Sequence, residues 1–244
     1  MTIRPLTQKT IGILGGASNV ATAQYYRQIN DRANAALGGW DIAETMIAGM
    51  NFGNIEHFVR NAQWQELQDY VGERLERLVA ADVDLIICAS NTLHRFLPTL
   101  TARHSLPFLH IADPTARAIK AQGLNRVALY GTAPVMRMDY MRQRYEQEFG
   151  LEIVVPNEEE ITEIDRIIFG ELVKNQLRPE SKARYLQIAR RLEQQCGAQG
   201  LILGCTEIVL LINQPDRPDF PMFDTTELHC AAAVDWVQGR RAEG

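Results

Sequence analysis

The chain has 244 residues, 46% of them apolar and 23% charged, with a formal net charge of −5 and a pI near 5.6. That is an ordinary globular composition, enough for one large domain or two small ones, and its acidic balance argues against nucleic-acid or anionic-membrane partners, which require a basic face. No apolar run nears the ~18 residues of a membrane span, and the opening MTIRPLTQKT lacks the apolar stretch of a signal peptide, so a cytoplasmic location is expected.

In chain order, TIGILGG reads as a strand ending in glycines, TAQYYRQINDRANAAL as a helix and ETMIAGMNF as a second strand. QWQELQDYVGERLERLVAA carries apolar residues at helical spacing with charges between them. DLIICAS is continuously apolar, as expected of a parallel strand buried on both faces, and LPFLHIAD reads as a fourth strand. RVALYGTAP then restarts the pattern, followed by the helix KARYLQIARRLEQQCGAQG, the strand GLILGCTE and a last helix, TTELHCAAAVDWVQGR. Strands spaced by helices imply βαβ units and parallel sheets.

The two halves match at a spacing of 115 residues. Gly16 falls on Gly131, Ser90 on Cys205, and Pro107 within one residue of Pro221. This predicts an α/β protein of two similar Rossmann-like lobes, 8–112 plus 225–244 and 113–224, although any α/β chain repeats strand–Gly–helix units. Open parallel sheets bind ligands beyond the carboxyl ends of their strands, where GGAS, ASNT, YGTA and GCTE all lie.

Cys205, at a strand end with a helix expected behind it, gains a lowered thiol pKa from the helix N-terminus; its plainer role is a small residue in a tight turn. Thr206 caps that helix or holds an anion. Ser90, Asn91 and Thr92 are helix-capping types, and the same geometry binds a carboxylate. His94, one turn on, serves as a base or covers a helix surface. Thr132 has an anion-binding context, and Ser18 a weaker one. Cys88 reads as core packing, Cys196 and Cys230 as structural, and with no CxxC pair all four cysteines are expected reduced. No Walker A, GxGxxG or HExxH pattern points to a nucleotide or a metal.

Taken together, IGILGGAS, ASNTLH, LPFLHIAD, RVALYGT, EIDRIIFGEL, QGLILGCTEI and PMFDTT resemble the cofactor-independent aspartate/glutamate racemase family, its bacterial broad-specificity type most of all, over nearly the whole chain. The resemblance implies two pseudo-two-fold-related lobes with the active site in the cleft between them, a homodimer, a small amino-acid substrate, and no pyridoxal phosphate or metal. In that family two thiols face opposite sides of the substrate α-carbon, one removing a proton and the other returning one. Carried over, Cys205 is one acid/base group, and Asn91, Thr92, Thr132 and Thr206 hold the α-carboxylate.

The chain departs from this pattern twice. Ser90 stands in the first thiol position, and a hydroxyl is a poor base without help. It acts as a weak partner, relaying its proton to water or to His94, or it is a Cys replacement that traps substrate. Glu163 stands where aspartate-specific members carry a Lys, with Arg166 nearby, and AGMNFGNIE lacks a basic residue, so a neutral or basic amino acid competes with Asp or Glu as substrate. The rival readings are a single-Cys lyase such as a decarboxylase and a catalytically silent amino-acid-binding protein.

Overall fold

The computed structural model describes residues 8–240, so most of the opening MTIRPLTQKT and the last four residues of the lobe expected over 225–244 lie outside them. The chain packs as two compact units. The first takes the described parts of 1–89, 96–110 and 229–244; the second takes 90–95 and 111–228.

In the first unit, β1 (Thr10–Gly15) is the middle strand of a parallel sheet ordered β2-β1-β3, with β2 at Glu44–Gly49 and β3 at Leu85–Cys88. Both β1 and β3 are buried nearly throughout, which explains their unbroken apolar sequence. α1 (Asn19–Leu37) buries Tyr25, Ile29 and Ala33 at helical spacing against this sheet, in a core that also takes Cys230, Ala233 and Val234. Ser18 starts α1 by accepting the N–H of Ala21. Two helices follow β2: α2 (Phe52–Arg60), capped by Asn51 and absent from the sequence reading, and α3 (Trp64–Ala80). A short α4 (Leu97–Thr101) closes the unit. Beside β3, LPFLHIAD forms no strand of its own. It makes a single bridge, Phe108 to Ile86, because Pro107 has no N–H to extend the ladder and α5 (Ala112–Ala121) begins at once.

The second unit carries a four-stranded parallel sheet ordered β5-β4-β6-β7, with β4 at Arg126–Gly131, β5 at Glu152–Val154, β6 at Leu201–Gly204 and β7 at Met222–Asp224. Around it lie α6 (Ala133–Arg137), α7 (Asp139–Phe149), α8 (Glu158–Gly170), α9 (Pro179–Cys196) and the four-residue α10 (Ile208–Leu211). α8 and α9 face one core through Ile161, Ile164, Ile168, Tyr185, Ile188 and Leu192, each fully buried side chain contributing about 1.5–3 kcal/mol. The last helix, α11 (Thr225–Val237), begins in the second unit and joins the first from His229 onward.

The matched prolines do the same work in both sheets: the Pro107 carbonyl accepts Ile86 N–H and the Pro221 carbonyl accepts Leu201 N–H. The matched glycines do not. Gly16 adopts φ +93°, with Met50 backbone 2.1 Å from where a Cβ would sit. Gly131 is needed for space against the Val135 side chain, 2.7 Å from where a Cβ would sit, and its ladder neighbour Gly204 would bring a Cβ 2.6 Å from the Tyr130 carbonyl oxygen. No helix among the described residues is long and apolar enough to cross a membrane. Gly204→Ala is expected to lower the unfolding free energy by about 1–3 kcal/mol, read as a reduced urea midpoint; an unchanged midpoint would mean this contact is not close-packed.

Candidate active site

The second unit gathers most of the sequence-predicted residues at the carboxyl ends of β4 and β6. Ser90 follows β3 after one intervening residue, Ala89, and opens not an α-helix but a 3-10 turn, Thr92–Arg95. Its Oγ accepts Leu93 N–H at 3.4 Å, the capping role expected of a serine there. His94 Nδ1 lies 2.7 Å from the Ser90 carbonyl oxygen, and its Nε2 accepts Ile111 N–H at 3.2 Å. A backbone N–H only donates, so Nε2 is bare and Nδ1 carries the proton toward Ser90 O. The ring is 1% exposed; these contacts make it a pin on the turn and leave neither nitrogen aimed at the Ser90 hydroxyl.

Two contacts tie this turn to the sheet. Thr92 Oγ1 meets Thr132 Oγ1 at 3.1 Å, at the end of β4. Asn91 Nδ2 donates to Thr225 Oγ1 at 3.1 Å, and that hydroxyl donates to the Leu203 carbonyl on β6 at 2.9 Å. Asn91 Oδ1 is buried without a partner, an acceptor that costs free energy until something donates to it. Asp165 on α8 accepts the first N–H of α6, from Ala133, at 2.7 Å and so fixes the turn at Thr132.

Cys205 follows β6 directly and is 8% exposed. Its Sγ–H donates to Glu207 Oε2 at 3.1 Å, and Thr206 Oγ1 donates to the same oxygen at 2.6 Å. Thr206 is therefore committed to Glu207 rather than to a helix cap. The expectation of a lowered thiol pKa is corrected. Burial, then the Glu207 carboxylate, with Asp165 adding to them, push the Cys205 thiol well above its ordinary range. The helix behind it, α10, has only four residues and starts at Ile208, too little and too late to offset the acid.

Other expected residues lie apart from this group. Glu163 accepts Arg184 Nε at 2.7 Å, so α8 turns it toward α9, and Arg166 pairs with the buried Glu171 at 3.3 Å. Ser18 belongs to the first unit, where it caps α1. The four cysteines, all among the described residues, form no disulfide; Cys88 and Cys230 are buried, and Cys196 accepts from Arg191. Among the described residues no group of three or more His, Cys, Asp or Glu side chains is arranged to hold a metal ion. Sequence reasoning passed over Glu207, Thr225 and Asp165. Glu207 was visible as the acid two residues beyond the Cys in GCTE, and Thr225 as the first hydroxyl of DTT; nothing local marked Asp165.

Residues 13–233 match the Asp/Glu/Hydantoin racemase family. Among solved structures, a Yersinia pestis protein with a provisional Asp/Glu racemase name superposes with a TM-score of 0.87 at 36% identity, over 94% of this chain and 99% of that one. An aspartate racemase homologue from Pyrococcus horikoshii OT3 gives 0.80 at 31% identity, over 94% and 99%. The glutamate racemase of Francisella tularensis, solved with D-glutamate, shares the fold with a TM-score of 0.68 at 12% identity, over 97% and 84%.

The Cys205 thiolate, followed by its ultraviolet absorbance against Cys205→Ser, is expected to form only above the ~8.5 midpoint of a free thiol, and Glu207→Gln to lower that midpoint. An unmoved midpoint in the variant would remove the carboxylate as a cause.

Proposed function

The chain belongs to the Asp/Glu/Hydantoin racemase family, and from that membership we propose that it racemises a small amino acid without a cofactor, with Cys205 and Ser90 as the opposed acid/base groups. The observation that carries the reading is the Cys205 thiol hydrogen-bonded to Glu207 at a strand end. A thiol held protonated needs a base before it can remove an α-proton, and Glu207 Oε2 lies on its hydrogen. Glu207 takes the thiol proton, the thiolate takes the α-proton from one face, and the Ser90 hydroxyl returns a proton to the other. Ser90 regains its own proton from water and Glu207 gives up the thiol's proton to the hydroxide so formed, while the Leu93 N–H on the Ser90 Oγ eases the negative charge.

The remaining groups bind. Thr92 and Thr132, already in contact, receive the α-carboxylate, Thr206 being held on Glu207, and the unpartnered Asn91 Oδ1 accepts from the α-ammonium. With Glu163 and Arg166 engaged in their own ion pairs, neither repels nor anchors the distal group. The homodimer and the cytoplasmic location belong to the same proposal.

One observation favours a second reading. A single thiol kept protonated suits a lyase that only donates a proton to a carbanion, as a decarboxylase does.

Single-enantiomer amino acids incubated in deuterium oxide separate the readings. A racemase gives α-deuteration with inversion, a decarboxylase releases carbon dioxide from a malonate-type acid, and a silent receptor binds without exchange. Cys205→Ala is expected to abolish exchange, Glu207→Gln to lower kcat by about 100-fold, and Ser90→Cys to raise racemisation. Full exchange in Cys205→Ala would take the thiol out of the mechanism.

A further inference from the structure

We propose that the site on the second unit selects amino acids with a basic side chain and rejects acidic ones, Asp165 on α8 being the residue that decides between them. The inference rests on the racemase reading above and narrows its substrate. Asp165 Oδ1 accepts the Ala133 N–H at 2.7 Å, so its carboxylate lies one residue past Thr132. Thr132 and Cys205 leave the sheet side by side, because Gly131 and Gly204 are ladder partners and neighbouring strands run about 4.8 Å apart. The thiol feels this carboxylate: after burial and Glu207, Asp165 adds to the rise of the Cys205 pKa.

Asp165 differs from the other sheltered acids of α8. Glu160 pairs with Arg191 and Glu163 with Arg184, whereas half-buried Asp165 has no cation beside it among the described residues. The guanidiniums of the surrounding elements are engaged elsewhere. Arg137 holds Glu158 and Thr162, and Arg166 holds Glu171. Arg95, on the turn that bears Ser90, donates to Met138 Sδ at 2.8 Å, at the opposite end of α6 from Thr132.

A second, independent observation asks for a donor at the same strand ends. Asn91 is 4% exposed and its Oδ1 is buried without a partner. Its Nδ2 bonds Thr225, and Thr225 bonds the Leu203 carbonyl two residues before Cys205, which sets that amide beside the end of β6. An amide oxygen and a carboxylate accept and never donate, and Glu207 brings a further negative charge to the thiol. A substrate with a side-chain carboxylate adds a third anion to a partly desolvated place, where like charges repel strongly. A side-chain ammonium or guanidinium instead gives Asp165 a charge-assisted partner, and the α-ammonium keeps Asn91 Oδ1. Attraction to one class and repulsion of the other act together, which is how specificity is sharpened.

Calorimetric titration of the full chain with lysine and with glutamate, both enantiomers of each, tests the selection independently of turnover, and α-deuterium exchange gives kcat/KM for the same four. The expected result is lysine bound and exchanged roughly 100-fold better than glutamate. Asp165→Asn keeps the oxygen that accepts the Ala133 N–H and removes only the charge. At unchanged circular dichroism it is expected to cut the lysine preference roughly 30-fold, as loss of one partner of a sheltered ion pair does. Glu163→Gln, at an acid already paired with Arg184, is expected to leave the preference as it is. Glutamate preferred over lysine, a preference unmoved by Asp165→Asn, or one lost in Glu163→Gln would overturn the assignment and leave the racemase reading standing. Lysine bound selectively with no exchange of any amino acid would sink the racemase reading and keep the charge selection; binding of neither would end both.

Discussion

The arrangement of the candidate site depends on one hydroxyl. Thr225 Oγ1 accepts from Asn91 and donates to the Leu203 carbonyl, so a single buried side chain joins the turn that bears Ser90 to the strand that delivers Cys205. A threonine satisfies both because its oxygen donates once and accepts at its lone pairs. It is 0% exposed, where water cannot replace a lost partner and an unmade hydrogen bond costs about 1–3 kcal/mol. The His94 pin and the Thr92–Thr132 contact reinforce this clasp from either side.

Given that placement, the chemistry turns on electrostatics of one sign. Glu207 and Asp165 both disfavour a Cys205 thiolate, as does burial. A resting site of this kind stores the thiol protonated and protects it from oxidation, since the thiolate is the reactive form. In the proposed reaction it becomes a base only when a proton can move to Glu207. A substrate ammonium brought near that carboxylate would add an opposite charge and so favour ionisation of the thiol as binding occurs.

The central strands of both sheets were legible in the sequence because parallel strands buried on two faces read as unbroken apolar runs, as in TIGILG, LIIC and LILG, whereas β5 and β7, three residues each, are too short to show such a run. LPFLHIAD misled because its alternation is strand-like while Pro107 limits it to one bridge. α2 was missed because a capping Asn51 looked like the tail of a strand. At the site, hydroxyls and amides at strand ends could be picked by type and place. The sense of the Cys205 shift could not, because it depends on how long the following helix is and on which way Glu207 folds back, and both are set by tertiary packing.

The glycines at the ends of β4 and β6 bear on how this protein can change over generations. A Cβ on Gly204 meets the Tyr130 peptide oxygen at 2.6 Å, whereas one on Gly131 first meets the Val135 side chain at 2.7 Å. When a side chain is the obstacle, a neighbouring mutation can shrink it. At Gly204 the obstacle is the main chain itself, which no codon alters. Drift at Gly204 therefore has no compensating partner elsewhere in the gene, whereas Gly131→Ala has one in a smaller residue at 135, and the floor beneath Cys205 stays bare in any descendant that keeps this sheet.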